Sequence, residues 1–181
     1  MKKCIIFVRH GESYNNIIDK KRKYKYESVD PSLTEKGIKQ ANLIKNNQLI
    51  IDPDLVIVSP LKRAIQTCAI IYGEKPKNRV LISALHTEKW TSIFDQGSTK
   101  TDLINDLPFI EKWEGLEYID EEWGPTEYSD RDWKNNRIPQ FLKFISNFSE
   151  KKIVVIGHAG FFKEILGYHM KNCDIRVFIN K

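Results

Sequence analysis

Short apolar runs, each close to a segment with helical spacing, constrain the fold of this chain more than any other feature. The runs lie at residues 3–8, 55–58, 80–82, 153–156 and 175–179. Runs this short are typical of buried strands and do not cross a bilayer. Residues 34–47 and 61–72, and the segments after Pro139 and Gly157, have the spacing of amphipathic helices. The alternation predicts an α/β fold, a three-layer sandwich with a mostly parallel central sheet flanked by helices.

The boundaries of these elements carry further signals. Thr34 is expected to cap the first helix, and Ser59 the second, with Pro60 at its first helical position. Residues 175–179 are predicted to form an edge strand. Residues 87–137 are polar, rich in aromatic residues and interrupted by glycine and proline. We interpret them as an irregular lid or pocket insertion with short helical pieces at 103–107 and 116–121.

Composition narrows the class of protein. The 181 residues suit one domain, 1–181, in which 41% hydrophobic residues can form a core. No signal peptide or transmembrane run is recognisable, which predicts a cytoplasmic protein without membrane contact. Three scattered cysteines suggest neither a disulfide framework nor a zinc site. The net charge of +5 comes partly from the stretch Lys20 to Lys25. We interpret this stretch as a solvated loop or an electrostatic guide for a phosphorylated substrate, without specific nucleic-acid binding.

Polar motifs follow three of the apolar runs. Arg9, His10 and Gly11 follow the first run, and His158 follows the fourth. Arg63 lies shortly after the second run, on the predicted helix. Because ligands bind at the carboxyl ends of parallel strands, we expect these residues to converge at one edge of the sheet. Two guanidiniums and two imidazoles at that edge would form a phosphate site.

The same residue types suit phosphoryl transfer. A phosphoryl group in transfer spreads negative charge over its equatorial oxygens, which the protein must hold and neutralise. The guanidiniums of Arg9 and Arg63 can do so with forked hydrogen bonds. Their charges also disfavour protonation of His10, whose neutral imidazole can then attack phosphorus. Gly11 would permit close approach of the backbone to the anion, and the helix after Gly160 would direct its free amides there.

Taken together, the motifs resemble those of the histidine phosphatase superfamily, the phosphoglycerate-mutase-like proteins. Residues 9–13, followed by Asn16, are similar to its RHG signature. Ser59 and Pro60, with Arg63 and Thr67, resemble its second block, and residues 157–160 its third. The blocks come in the family's order and frame nearly the whole chain. The resemblance implies that His10 is the nucleophile and that the phosphoryl group is bound by Arg9, Asn16, Arg63 and His158.

The leaving group needs a proton donor, which the family takes from an acidic residue after the third strand. Glu88 lies where family members carry a Leu-Arg-Glu-like segment, and we predict it as the donor. His86 and Thr87 depart from that pattern, and Asp95 is the alternative donor. A carboxyl group beside a phosphate dianion has its protonated form favoured, as a donor requires.

The resemblance implies a metal-independent phosphomonoester hydrolase of the phosphatase branch, acting through a phosphohistidine at His10. Its substrate is expected to be a phosphorylated small molecule or a phosphoprotein. A phosphoglycerate mutase is the alternative, although the Glu-Arg-His-Tyr-Gly segment of the mutase branch does not follow Glu88. A non-catalytic module that binds phosphorylated ligands is a third possibility. No HExxH, EF-hand, Walker or GxGxxG pattern occurs, so neither metal nor cofactor is expected.

Overall fold

The computed structural model describes residues 3–17, 29–125 and 133–178. Within these ranges the strands form one sheet: β1 (Cys4–Arg9), β2 (Leu55–Val58), β3 (Arg79–Ile82), β4 (Lys152–Gly157) and β5 (Ile175–Phe178). Their order is β3-β2-β4-β1-β5. The first four are mutually parallel, and β5 pairs antiparallel with β1 at the edge of the sheet. The predicted α/β class with a mostly parallel sheet is therefore confirmed.

Helices cover both faces of this sheet. In the described residues they are α1 (Tyr14–Ile17), α2 (Glu35–Ile44), α3 (Lys62–Tyr72), α4 (Lys100–Asp106), α5 (Trp133–Ser146) and α6 (Ala159–Leu166). On one face Val8, Val56 and Ile156 pack with Ile65 of α3. On the other, the alternate residues of the same strands pack with Phe141 of α5 and with α6. Burial on both faces explains why the central strands read as continuous apolar runs.

The structure confirms one predicted helix start and corrects two others. The amide of Gly37 donates to Thr34 Oγ1 at 3.1 Å, as the predicted cap requires. Ser59, however, does not cap α3, which begins at Lys62. The Lys62 amide instead donates to Oδ1 of Asp30, at 2.9 Å. The second correction is α5, which begins at Trp133, ahead of Pro139, and contains this proline despite the hydrogen bond that a proline removes from a helix.

The described part of the predicted insertion, residues 87–125, follows β3 in the chain. It contains α4 and 3₁₀ turns at Ile93–Asp95, Pro108–Lys112 and Leu116–Tyr118. Glu114 exchanges main-chain hydrogen bonds with Val80 and Ile82 and so covers the outer edge of β3. Gly115 adopts a positive φ of 87°, and a Cβ there would lie 2.3 Å from the carbonyl oxygen of Ile82. Only glycine allows this approach.

One prediction falls on residues outside these ranges. The basic stretch Lys20 to Lys25 lies outside the described residues, so its interpretation is untested. Among the residues that the structure describes, no helix has both the length and the apolar character needed to span a membrane.

Candidate active site

The carboxyl ends of β1, β2 and β4 lie side by side and bring the predicted phosphate-binding residues together. The ring centroids of His10 and His158 are 5.1 Å apart. Arg9 ends β1, and Arg63 lies in the first turn of α3. His10, His158 and Arg63 are each no more than 2% exposed. The site is therefore a cluster of two buried imidazoles, the buried guanidinium of Arg63 and the partly buried guanidinium of Arg9.

The orientation of His10 is set by its own backbone neighbour. Its Nδ1 lies 2.6 Å from the carbonyl oxygen of Gly11. A carbonyl can only accept, so Nδ1 carries the proton and Nε2 carries the lone pair. Gly11 is in turn held by its amide, which donates to Thr67 Oγ1 at 3.0 Å. A Cβ on Gly11 would lie 2.6 Å from the carbonyl oxygen of Gly37, so close packing on α2 also requires glycine here.

Both site histidines are held neutral. Burial lowers the pKa of His10 well below its ordinary value, and the charges of Arg63 and Arg9 lower it further. The pKa of His158 is lowered by burial first and then by the same arginines. His158 Nε2 lies 2.8 Å from Ser59 Oγ, which is the contact that Ser59 makes in place of the predicted cap. Two neutral imidazoles therefore face two cations.

Arg63 is oriented by the segment after β3. Its Nη1 donates to the carbonyl oxygen of Phe94 at 3.0 Å, and its Nη2 donates to Asp95 Oδ1 at 3.1 Å. The other oxygen of Asp95 accepts from the amide and hydroxyl of Thr91, at 3.1 and 2.6 Å. The three groups that contact Asp95, from Arg63 and Thr91, are all donors. The Asp95 carboxylate therefore acts as an acceptor that aligns Arg63.

Three buried nitrogens of the cluster have no hydrogen-bond partner among the described residues. They are Nε of Arg9, Nε of Arg63 and Nδ1 of His158. Buried polar atoms without a partner are rare in folded proteins, because each forfeits the hydrogen bonds it makes in water. The two guanidinium nitrogens are donors, so this part of the cluster suits an anion.

Glu88 lies beside this cluster and holds the start of α6. Its Oε2 accepts from the amide of Gly160 and its Oε1 from the amide of Phe161, both at 3.0 Å. Burial raises the pKa of Glu88, and the charge of Asp95 raises it further, against the amide of Gly160. The expectation that these α6 amides are free to meet an anion is therefore wrong, because the Glu88 carboxylate occupies them. A Cβ on Gly160 would lie 2.3 Å from Glu88 Oε1, so glycine leaves the space.

An open cleft of about 840 Å³ leads to the cluster. Its lining includes Arg9 of the cluster together with Glu88, Asp95 and Trp133. Its lining also contains basic side chains, namely Lys89, Lys163, His169 and Lys171. A volume of this size suits a small molecule.

The sequence of this chain matches that of a known protein family. The sequence model of the histidine phosphatase superfamily (branch 1) matches residues 5–176. The chain belongs to the histidine phosphatase superfamily. The family resemblance inferred from the three motifs is therefore confirmed.

Similar proteins include phosphatases and a mutase-like protein. A phosphoglycerate mutase-like protein of Arabidopsis thaliana is 27% identical over 231 residues, which cover 98% of this chain and 84% of the relative. The structure of phosphoserine phosphatase from Entamoeba histolytica, in complex with 3-phosphoglyceric acid, is 25% identical, with a TM-score of 0.61 over 98% of this chain and 90% of that one. Mycobacterial glucosyl-3-phosphoglycerate phosphatase, 19% identical with a TM-score of 0.61 over 97% and 90% of the two chains, shares the fold.

Within this family member, Asn16 lies apart from the other predicted residues. Asn16 is exposed, and its Oδ1 accepts from the amide of Ser13 at 3.0 Å and from Asn172 Nδ2 at 3.1 Å. Its neighbour Asn15 lines the cleft instead and lies 3.4 Å from Asp95 Oδ1. The sequence motifs did not single out Asn15. Its position between Ser13 and Asn16, within the first motif region, could have identified it as a further polar candidate.

The described residues contain no group of three or more histidine, cysteine, aspartate or glutamate side chains placed to hold a metal ion. The charged groups that do meet at the site are the guanidiniums of Arg9 and Arg63 and the carboxyl groups of Glu88 and Asp95.

Proposed function

We propose that this histidine phosphatase hydrolyses phosphomonoesters through a phosphohistidine intermediate at His10. The observation that carries the proposal is the 2.6 Å contact of His10 Nδ1 with the Gly11 carbonyl oxygen, which assigns the proton to Nδ1 and leaves the Nε2 lone pair available. Beside it lie the buried nitrogens of Arg9, Arg63 and His158 that lack partners among the described residues. A nucleophile next to such donors suits transfer of a phosphoryl group.

In the first step, the ester phosphate binds to Arg9, Arg63 and His158. Nε2 of His10 attacks phosphorus, a P–N bond forms, and the P–O bond to the alcohol breaks. Nδ1 keeps its proton and its hydrogen bond to the Gly11 carbonyl as the ring becomes cationic, which stabilises the positive charge. The guanidiniums neutralise the negative charge on the equatorial oxygens.

Glu88 supplies the proton that the departing alcohol oxygen takes up. Its raised pKa favours the protonated form, and a bound phosphate dianion raises that pKa further. In the second step a water molecule attacks the phosphohistidine, Glu88 takes a proton from that water, and the P–N bond breaks. Inorganic phosphate leaves, and His10 returns to its neutral tautomer. Asp95 is the weaker candidate for donor, because it pairs with the charged guanidinium of Arg63, whereas the amides that donate to Glu88 are neutral.

The substrate proposed is a phosphorylated small molecule with further anionic character. Lysines 89, 163 and 171 in the cleft lining favour such a molecule through their charge. The Entamoeba phosphatase supports this class, since its structures hold 3-phosphoglyceric acid and, in a histidine-to-alanine variant, phosphoserine.

The test is to follow the phosphoryl group on the protein and in solution. Wild type and His10→Ala are mixed with phosphoserine, 3-phosphoglycerate or para-nitrophenyl phosphate, with EDTA present, and quenched at alkaline pH because phosphohistidine is acid-labile. We expect wild type to release inorganic phosphate and to carry a phosphoryl adduct by mass spectrometry, and His10→Ala to do neither. An adduct that survives in the variant contradicts the nucleophile.

The same samples separate hydrolysis from isomerisation. Phosphorus NMR distinguishes inorganic phosphate from 2-phosphoglycerate when 3-phosphoglycerate is supplied. Conversion to the isomer without release of phosphate would identify a mutase. Activity lost to EDTA and restored by one divalent ion would contradict the metal-independent mechanism.

A further inference from the structure

Arg137, a half-buried cation on α5, contacts the backbone that carries Glu88. Its Nη1 donates to the carbonyl oxygen of Thr87 at 3.0 Å and to Thr87 Oγ1 at 2.8 Å. Its Nη2 lies 3.4 Å from the carbonyl oxygen of Glu88. Thr87 Oγ1 donates in turn to the carbonyl oxygen of Ala84, at 3.1 Å. One guanidinium therefore fixes the turn from which the Glu88 side chain extends.

The same guanidinium also lies against two aromatic rings, one of which belongs to a residue that holds the Glu88 carboxyl group. Its central carbon is 5.8 Å from the ring centroid of Phe161 and 5.5 Å from that of Trp133. These distances are within the range of cation–π attraction. The amide of Phe161 donates to Glu88 Oε1, so the ring that Arg137 covers belongs to a residue that orients the carboxyl group.

From these contacts we propose that Arg137 is a positioning residue for the proton donor Glu88; the inference rests on the function proposed above. Arg137 contacts both the backbone that carries the Glu88 carboxyl group and the ring of Phe161 at the start of α6. The amide of Phe161 aligns that carboxyl group. A general acid must lie within hydrogen-bond reach of the leaving oxygen, and small displacements lower the rate. Because Arg137 contacts main-chain oxygens and a hydroxyl of the donor segment, it acts through the position of Glu88.

The test uses two esters of similar shape, para-nitrophenyl phosphate and phenyl phosphate. Phenolate is the more basic leaving group and depends more on a proton donor. The quantity measured is the ratio of kcat/KM for the two esters, because kcat/KM reports the steps up to release of the phenol. Partial unfolding lowers both rates equally and leaves this ratio unchanged.

We expect Arg137→Gln to lower kcat/KM for phenyl phosphate by about tenfold and for para-nitrophenyl phosphate by less than about threefold. Arg137→Lys should have an intermediate effect on this ratio, since a lysine cannot reproduce the planar fork of the guanidinium. It replaces Arg137→Gln in the test if the glutamine variant fails to fold. In a Glu88→Gln background, Arg137→Gln should change the ratio no further, because both changes act through one carboxyl group. Arg79→Gln is the matched control, as Arg79 pairs with Glu114 and Glu150 at the β3 edge.

The outcomes separate the two proposals. If Glu88→Gln leaves the ratio at its wild-type value, the donor assignment itself is wrong, and the inference about Arg137 fails with it. If Glu88→Gln changes the ratio and the Arg137 variants do not, Glu88 stands and Arg137 is not a positioning residue. An effect of Arg137→Gln that persists undiminished in the Glu88→Gln background also overturns the inference.

Discussion

Two carboxyl groups near His10 have opposite surroundings. Asp95 is bonded by Arg63 and Thr91 through both oxygens. Glu88 is bonded by main-chain amides, and burial raises its pKa. Groups of one type placed in different surroundings can take different roles, one as an acid and the other as a fixed negative charge. The sequence left these two residues as alternatives, and their hydrogen bonds favour Glu88 as the donor.

Glu88→Gln is expected to slow hydrolysis of an alkyl phosphate by about 10²-fold or more in kcat/KM. Para-nitrophenyl phosphate should be affected much less, since its phenolate leaves without a proton. Asp95→Asn should lower kcat/KM for both substrates to a similar extent, because it disturbs the alignment of Arg63. If only Asp95→Asn shows the dependence on the leaving group, Asp95 is the donor and Glu88 is not.

Arg63→Lys is expected to lower kcat/KM by about tenfold or more, which corresponds to ~1.4 kcal/mol. A lysine cannot contact Phe94 and Asp95 together while also reaching a phosphate. Steady-state kinetics with para-nitrophenyl phosphate measures the loss, and Lys62→Arg, which keeps the charge opposite Asp106, is the control. A smaller loss with the fold intact would argue against a role of Arg63 in the transition state.

At the scale of elements, the buried carboxylate of Asp30 links α3 to the segment after β3. One oxygen accepts from the Lys62 amide at the start of α3, and the other accepts from Ser98 Oγ at 3.1 Å. Arg63 and Asp95, which lie in these two segments, form their own ion pair nearby. Burial raises the pKa of Asp30 to about 6, even though the charge of Arg63 lowers it. The link therefore carries a titratable group.

Asp30→Asn is expected to gain stability relative to wild type as the pH rises from about 4 to 7. The folded pKa of about 6 exceeds the ordinary value of 3.8, so in this window the Asp30 carboxyl group binds more protons in the folded state, and its contribution to wild-type stability falls as the pH rises. The difference between these two pKa values corresponds to a change in the free energy of unfolding of roughly 3 kcal/mol at most. Urea unfolding of both proteins across this pH range measures it, and a difference that does not vary with pH would contradict the prediction.

At the scale of the whole molecule, three histidines are buried and neutral at the centre of the fold. Besides His10 and His158, the core holds His86, whose Nε2 lies 3.1 Å from the carbonyl oxygen of Ile156. Burial lowers the pKa of His86 to about 3. The phosphate site and the core beneath it therefore share a sensitivity to acid.

The unfolding temperature is expected to fall as the pH is lowered from 7 to 5. Each of the three histidines has its pKa lowered by folding, so the unfolded state takes up protons below about pH 6.5 while the folded state does not. Each contributes up to about 1.4 kcal/mol per pH unit, against an opposite contribution from Asp30. Calorimetry of wild type and His86→Phe tests this. The unfolding temperature of the variant should depend less steeply on pH than that of wild type. Equal slopes would contradict the assignment of His86 as a buried, neutral histidine.

The sequence by itself determined the fold class, the family and the place of the proposed phosphate site. Apolar runs of strand length, helical spacing and polar residues at strand ends are local signals, and parallel pairing then brings His10, Arg63 and His158 to one edge. Tertiary structure alone decided the capping of α3 by Asp30 in place of Ser59, the engagement of the α6 amides by Glu88, and the contact of Arg137 with the donor segment. These hydrogen bonds join residues at least 32 positions apart, and local patterns do not encode which distant donor meets which acceptor.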